Sequence, residues 1–274
     1  MPFWSGSRGT TVCLRVNGCE RRKKVLSYLL ERNFLRGLSL VVFILGWHLI
    51  SKGMDPILIP TPFAVFSQFA FFLRGNELMM ATVQSLSVLV LGLGLGCVLG
   101  IPLGILTGRY LPLYHFSEIG VITLYAVPIS ALLPLLMVWF GLGFKTKVAF
   151  VFLAVSFPLI FNAQAGVRNL DASHVDVFRI FGATERETMA KLVLPASLPF
   201  IGTGLRVAIG RAVTLTVVVE MLTSISGLGG LILRYGNFLE TAKMFVPLLV
   251  LAVVALIIYF VAAWVEKKLS MWRE

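Results

Sequence analysis

Apolar positions along this chain run in long, nearly unbroken stretches separated by short polar segments. Six stretches, near 34–52, 82–107, 116–140, 147–166, 200–223 and 245–265, match or approach the length of a membrane-spanning helix. A helix needs about 20 residues to cross ~30 Å of hydrocarbon. The pattern therefore predicts an all-α integral membrane protein with six transmembrane helices. The second stretch carries Gly92, Gly94, Gly96, Gly100 and Gly104. Small residues at such spacing let helix backbones approach closely in lipid, so this helix is expected to be interior and packed. Pro102, Pro128, Pro134 and Pro158 fall inside predicted spans and weaken them locally; neighbouring helices or water must then satisfy the freed backbone groups. Between the first two spans, Phe63, Phe66, Phe69 and Phe72 or Leu73 recur at helical spacing. That pattern fits an interfacial helix or equally a loop helix packed on the bundle.

One long polar stretch, 171–199, lies between apolar runs. Two short helices are legible in it. Ser173 is a candidate N-cap for the first, and Val175, Phe178 and Phe181 follow at helical spacing. Gly182 then stands where a left-handed residue ends a helix. Thr184 and Glu187 have the spacing of a capping box that starts the second helix. Met189, Leu192 and Val193 supply its apolar face, and Pro195 and Pro199 are expected to stop it. The product is a helix–glycine–helix elbow. Its aromatic anchors and polar rim suit a groove on a partner, or equally the chain's own helices or the headgroup layer.

Composition sharpens the class. Of 274 residues 58% are apolar and only 14% charged, well below the charge of a soluble domain. The net charge of +11 follows topology rather than nucleic acid, because basic residues flank the apolar runs without interleaved aromatics. Of 24 Lys and Arg, six (Lys52, Arg74, Lys145, Lys147, Arg234, Lys243) fall on one side of the predicted topology. Arg206 and Arg211 fall within the fifth span, leaving sixteen on the side of the N-terminus. That asymmetry predicts both termini and the elbow in the cytoplasm. The expected organisation is a cytoplasmic segment 1–33, a six-helix domain 34–266 with the elbow at 171–199, and a cytoplasmic tail 267–274. The first apolar run has no small-residue cleavage site after it and reads as an uncleaved span. Cys13, Cys19 and Cys97 have no metal-ligand or disulfide spacing.

Chemistry-bearing residues at depth are few. Arg211 and Glu220 lie on the fifth span, where a charge costs about 2.5–3.5 kcal/mol and must face protein or water. Nine residues separate them, about 13.5 Å of rise, so each needs a partner elsewhere, across a dimer among the options. They are candidates either for the translocation pathway or for structural polar pairs. Arg206 reads as a snorkelling residue, and Gly227-Leu-Gly-Gly230 as a turn or part of an outer gate. His48, His115 and His174 sit near segment ends and form no metal or catalytic cluster by spacing. The chain carries no Gly-x-x-x-x-Gly-Lys-Ser/Thr loop, so no ATPase activity of its own is expected. An ATP-independent secondary transporter or channel is the alternative, although no internal repeat is visible.

The run Asp176-Val-Phe-Arg-Ile-Phe-Gly182, nine residues, and Leu192-Val-Leu194-Pro195 resembles the cytoplasmic signature of ABC importer permeases: Glu-Ala-Ala, three residues, Gly, nine residues, Ile-x-Leu-Pro. Here Asp176-Val177-Phe178 replaces Glu-Ala-Ala and Leu192 replaces Ile. Leu58-Ile-Pro-Thr-Pro62, Pro134-Leu-Leu-Met-Val-Trp-Phe-Gly141, Leu194-Pro-Ala-Ser-Leu-Pro199, Gly204-Leu-Arg206, Val219-Glu-Met221, Gly227-Leu-Gly229 and Trp272-Arg273 are similar to the nitrate/sulfonate/taurine-type branch. The resemblance covers 35–274 and implies the type I, binding-protein-dependent fold with a coupling helix. By it, Val175, Asp176, Phe178, Arg179, Phe181, Gly182, Ala183, Thr184, Glu187, Leu194 and Pro195 would contact the ATPase subunit. It further implies two ATP-binding subunits carrying ATP and Mg, a second permease copy, most simply a homodimer, and an extracytoplasmic solute-binding protein. The implied location is the bacterial plasma (inner) membrane, among lipid and without nucleic acid. The implied cargo is a small polar or anionic solute of sulfonate, nitrate or taurine type.

Overall fold

The computed structural model describes residues 34–35, 37–223 and 226–270, the last six as backbone only. The whole segment 1–33, with Cys13 and Cys19, and the Trp272-Arg273 pair lie outside the described residues. Among the described residues every regular element is helical. Two compact units divide the chain at Ala64.

The first unit holds α1, Gly37–Lys52. Its sixteen described residues rise about 24 Å. After α1, the Asp55 carboxylate accepts from the Ile57 amide at 2.9 Å and the Trp47 indole N–H donates to the Pro60 carbonyl at 3.0 Å. Thr61 then caps α2, Pro62–Arg74, by accepting the Ala64 amide at 3.2 Å.

The phenylalanines of α2 divide between surface and core. Phe63 and Phe66 are exposed, whereas Phe72 is buried edge-on against Tyr235, ring centroids 5.5 Å apart. Val65, which the aromatic spacing did not single out, is buried too, as is Pro62 at the start of the helix.

The second unit is built on a central trio. Helix α3, Glu77–Arg109, lies along α6, Phe144–Arg168, which lies along α9, Leu194–Thr223. The α3–α6 seam uses the glycines. A Cβ on Gly92 would lie 2.7 Å from Val151, and one on Gly104 2.5 Å from the Ile160 carbonyl; Gly96 and Gly100 face Val155 and Ser156. Gly94 departs from the expected stripe: it points outward with nothing within 4 Å. Four residues advance a helix by about 40° past a full turn, so 92, 96, 100 and 104 share a face that 94 does not. Val88, Leu133, Phe150, Val155, Leu159, Ala208 and Val219 fill the core between these helices and α5, Leu133–Phe140.

The expected third span, 116–140, is not one helix. It divides into α4, Leu111–Ala126, and a 3₁₀ turn, Ile129–Leu132, leading into α5, the two parts bent by 91°. Pro128 lies at the break, and Val127 before it is extended (φ −71°, ψ 128°), the conformation a following proline imposes. Pro102 and Pro158 stay inside continuous helices, which flanking packing holds together. Pro134 sits in the first turn of α5, where no amide is needed.

Among the described residues, helices α3, α6, α9 with its preceding turn, and α11 (Thr241–Ser270) are long and apolar enough to cross a membrane; the bent pair counts as a fifth if taken as one span. α10, Gly227–Asn237, lies between α9 and α11.

Candidate functional site

The elbow begins at α7, Ala172–Ile180. Its cap is Asp171 rather than Ser173: the carboxylate accepts the Ser173 amide at 2.9 Å, a bond that holds the Asp171 carboxyl below the usual carboxylate range. Both residues are capping types, and the helix starts at the earlier one. The other end is a Schellman closure. Ala183 N–H donates to Phe178 O and Gly182 N–H to Arg179 O, each at 3.0 Å, with Gly182 at φ +73°. The expected capping box follows. The Thr184 hydroxyl accepts from the Glu187 amide at 3.3 Å while the Glu187 carboxylate accepts from Thr184 N–H at 3.0 Å.

The second arm does not stop at its prolines. Helix α8, Glu185–Thr188, passes through a π-helical turn, Met189–Val193, directly into α9. In that turn Leu194 N–H reaches back to Met189 O. A wide turn of this kind gives the Pro195 ring room against preceding carbonyls, so the helix runs on through the proline instead of ending. Pro199 likewise lies inside α9. Residues 185–223 thus form one continuous rod from the elbow.

The exposed apolar tip differs from the one read by spacing. Val175 and Phe178 are half-buried, whereas Val177, Ile180 and Phe181 are exposed, Ile180 at 81% and Phe181 at 85%. The alternative i, i+3, i+4 set was present in the sequence, but only the packed side of α7 decides between the two. Asp176 and Arg179 pair at 3.8 Å on the surface, and Glu187 pairs with Lys191 at 3.2 Å. Leu194 remains partly exposed where α9 begins, and Pro195 is half-buried. Sequence reading missed Arg109 as a partner of the elbow. From the end of α3 its guanidinium grips the Glu185 carboxylate with two bonds of 2.8 and 3.0 Å. A cavity of about 300 Å³ lies behind the elbow, bordered by Arg109, Val175, Asp176, Arg179 and Val193.

Arg211 and Glu220 occupy different places, and each finds a partner within the chain. Arg211 donates to the Tyr125 hydroxyl at 2.7 Å and its guanidinium stands 4.9 Å from that ring's centroid. Together with Arg206 it lines a cavity of about 660 Å³ whose other wall is the break between α4 and α5.

Glu220 is fully buried. The Ser85 hydroxyl lies 2.8 Å from both its carboxylate oxygens, and Gly229 N–H donates to one of them at 3.0 Å. Ser85 in turn accepts from Leu228 N–H at 2.8 Å. Gly227-Leu-Gly-Gly230 is therefore no turn but the first turn of α10, with its amides held by α3 and α9. A Cβ on Gly227, which sits at φ +89°, would strike the Glu220 carboxylate. Lys147, at the start of the fourth predicted span and counted on the side opposite the N-terminus, is 2% exposed and donates to the Ser226 carbonyl and hydroxyl at 3.0 and 2.8 Å.

Glu77 pairs with Arg234 at 2.6 Å and accepts from the Tyr235 hydroxyl at 3.0 Å. Burial, and then this bond, push the Tyr235 phenol up to about 12. Glu77 and Arg234 border a further cavity of about 440 Å³.

Residues 100–271 match the family model described as binding-protein-dependent transport system inner membrane component. The chain is 31% identical to SsuC of Bacillus subtilis, a permease protein named for aliphatic sulfonates transport, over 88% of each chain. It is 28% identical to TauC of Escherichia coli, the taurine transport system permease protein, over 86% of this chain and 88% of that one. Among solved structures, an inward-facing form of the MetNI methionine ABC transporter superposes with a TM-score of 0.62 at 18% identity. That match covers 70% of this chain and 96% of the other.

Proposed function

Because the chain belongs to the family of binding-protein-dependent transport system inner membrane components, and is thus the permease of an ATP-binding-cassette importer, we propose that its elbow is the point where ATP energy enters. The single observation carrying this reading is mechanical. A tip with Ile180 and Phe181 exposed is closed by Gly182, capped by Thr184 and Glu187, and continuous with the rod 185–223. A load on the tip is transmitted along a helix rather than lost in a loop. The Arg109–Glu185 pair ties the same tip to α3, so two helices would move with it.

In this reading Val177, Ile180 and Phe181 seat in a cleft of an ATP-binding subunit, with Asp176, Arg179 and Ala183 around them. Val175 and Phe178 hold α7 to the body of the permease, and Leu194 and Pro195 carry the motion into α9. ATP and Mg would be bound by that subunit. Two copies of this permease would enclose the pathway, the elbow would face the cytoplasm, as the basic-residue asymmetry favours, and an extracytoplasmic binding protein would deliver the solute. The names of SsuC and TauC point to a small sulfonate as cargo. The ATP-independent alternative is not favoured, since family membership implies an energy-coupling partner.

The test is co-expression with the cognate ATP-binding subunit. Phe181→Asp is expected to abolish copurification of that subunit while leaving the permease folded. If the altered permease retained the ATPase in full, the tip would not be the docking element.

A further inference from the structure

The cavity between the broken span and α9 holds a cation that the fold places at depth without a carboxylate. Arg211 lies twelve residues before the end of α9 at Thr223, about 18 Å along the axis, and so near the middle of the span. A guanidinium there must face water or protein. Its neighbours are the Tyr125 hydroxyl and ring, and the lining of the cavity includes Arg206, Ser130 and Thr214 but, among the described residues, no acidic one.

We propose that Arg211 and Tyr125 form the anion-recognition site of the permeation cavity, selecting a small solute with an oxyanion head and a short apolar tail. The proposal rests on the importer reading for its cargo. It adds what that reading leaves open: which groups inside the membrane meet the charge. Arg211 donates to the phenol oxygen, which leaves the phenol proton and the remaining guanidinium N–H groups as donors. An oxyanion entering beside them gains charge-assisted bonds from both residues. A cation beside Tyr125 would be repelled by the Arg211 guanidinium. Val127, Ile129, Val207 and Leu215 supply apolar wall for a tail, and about 660 Å³ admits a small organic anion. Pro128 is part of the device, because the bend beside it opens the space that Tyr125 and Arg211 border.

The experiment uses the complete importer in proteoliposomes, with the three natural cysteines changed to serine and Thr214→Cys placed in the cavity wall. The probes are sulfonatoethyl methanethiosulfonate and its trimethylammonioethyl analogue, each normalised to its rate with a free thiol. The anionic reagent is expected to react at least about tenfold faster than the cationic one, as a nearby unit charge at low effective dielectric implies. Arg211→Gln should remove most of that preference and Arg211→Lys keep it. Tyr125→Phe should lower it less than Arg211→Gln does. ATP-driven uptake of ethanesulfonate should fall about tenfold in Arg211→Gln while ATP hydrolysis stimulated by the binding protein persists.

Equal labelling by the two reagents with Arg211 intact would overturn the proposal, as would a preference unchanged in Arg211→Gln. Should the preference appear while the unaltered complex takes up no sulfonate on addition of ATP, the anion site stands and the sulfonate-importer reading fails.

Discussion

Gly182 and Gly227 are both left-handed, at φ +73° and +89°, but substitutions at them should act through different physics. Around Gly182 nothing lies within 4 Å of where a Cβ would be. Its substitution cost is therefore conformational, about 1–2 kcal/mol for an ordinary residue and less for asparagine. Gly182→Asn should preserve uptake per ATP hydrolysed, Gly182→Ala should reduce it, and a β-branched Gly182→Val should reduce it most. Equal coupling across the three in proteoliposomes would show that the elbow angle is unimportant. Gly227→Ala instead drives a methyl into the buried Glu220 carboxylate. Removing one donor from that carboxylate by Ser85→Ala should cost about 1.5–3 kcal/mol, read as earlier thermal unfolding of the purified permease. The residues of the elbow hinge were legible in the sequence because a Schellman closure and a capping box depend on residues within five positions of one another. Ser85 was not legible, because it meets Glu220 across 135 positions.

At the scale of the element, the α3–α6 seam makes a sharp contrast between glycines of one helix. Gly104→Val should wedge α3 away from the Ile160 carbonyl and Ala163, with an overpacking cost of about 1–3 kcal/mol. Gly94→Ala, facing outward, should be neutral or stabilise by about 0.5–1 kcal/mol through helix propensity. Thermal melts of the two variants check both signs. The same comparison marks a limit of spacing arguments: a helical small-residue pattern announces a packed face, yet intervals of two place Gly94 off it. The broken third span teaches a related lesson. Pro102, Pro128 and Pro158 are chemically alike, but only Pro128 breaks its helix, whereas Pro102 lies between Gly100 and Gly104 in the seam with α6.

For the whole molecule, the elbow is joined to two helices at once, to α9 by chain continuity and to α3 by the Arg109–Glu185 pair. The pair is partly exposed, with side chains 18% and 51% accessible, so its contribution to stability should be small. Its consequence should appear in coupling instead. Arg109→Glu should lower uptake per ATP without altering the melting temperature by more than a few degrees, and the double swap Arg109→Glu with Glu185→Arg should recover much of the loss. If the swap recovers nothing, the pair is not a strut.

The sequence alone determined that this is a bundle of apolar helices with a bent polar elbow, because hydrocarbon length, capping and left-handed closure are local rules written into neighbouring residues. It also carried the family signature, in the spacing of Gly182 to Leu194-Pro195. Only the tertiary structure decided which side of α7 is bare, that the helix runs on through Pro195, and that Arg211 meets Tyr125 across 86 positions beside a break in the third span. Those outcomes depend on which surfaces of distant helices come together, and in so apolar a chain many faces are equally greasy until packing chooses between them.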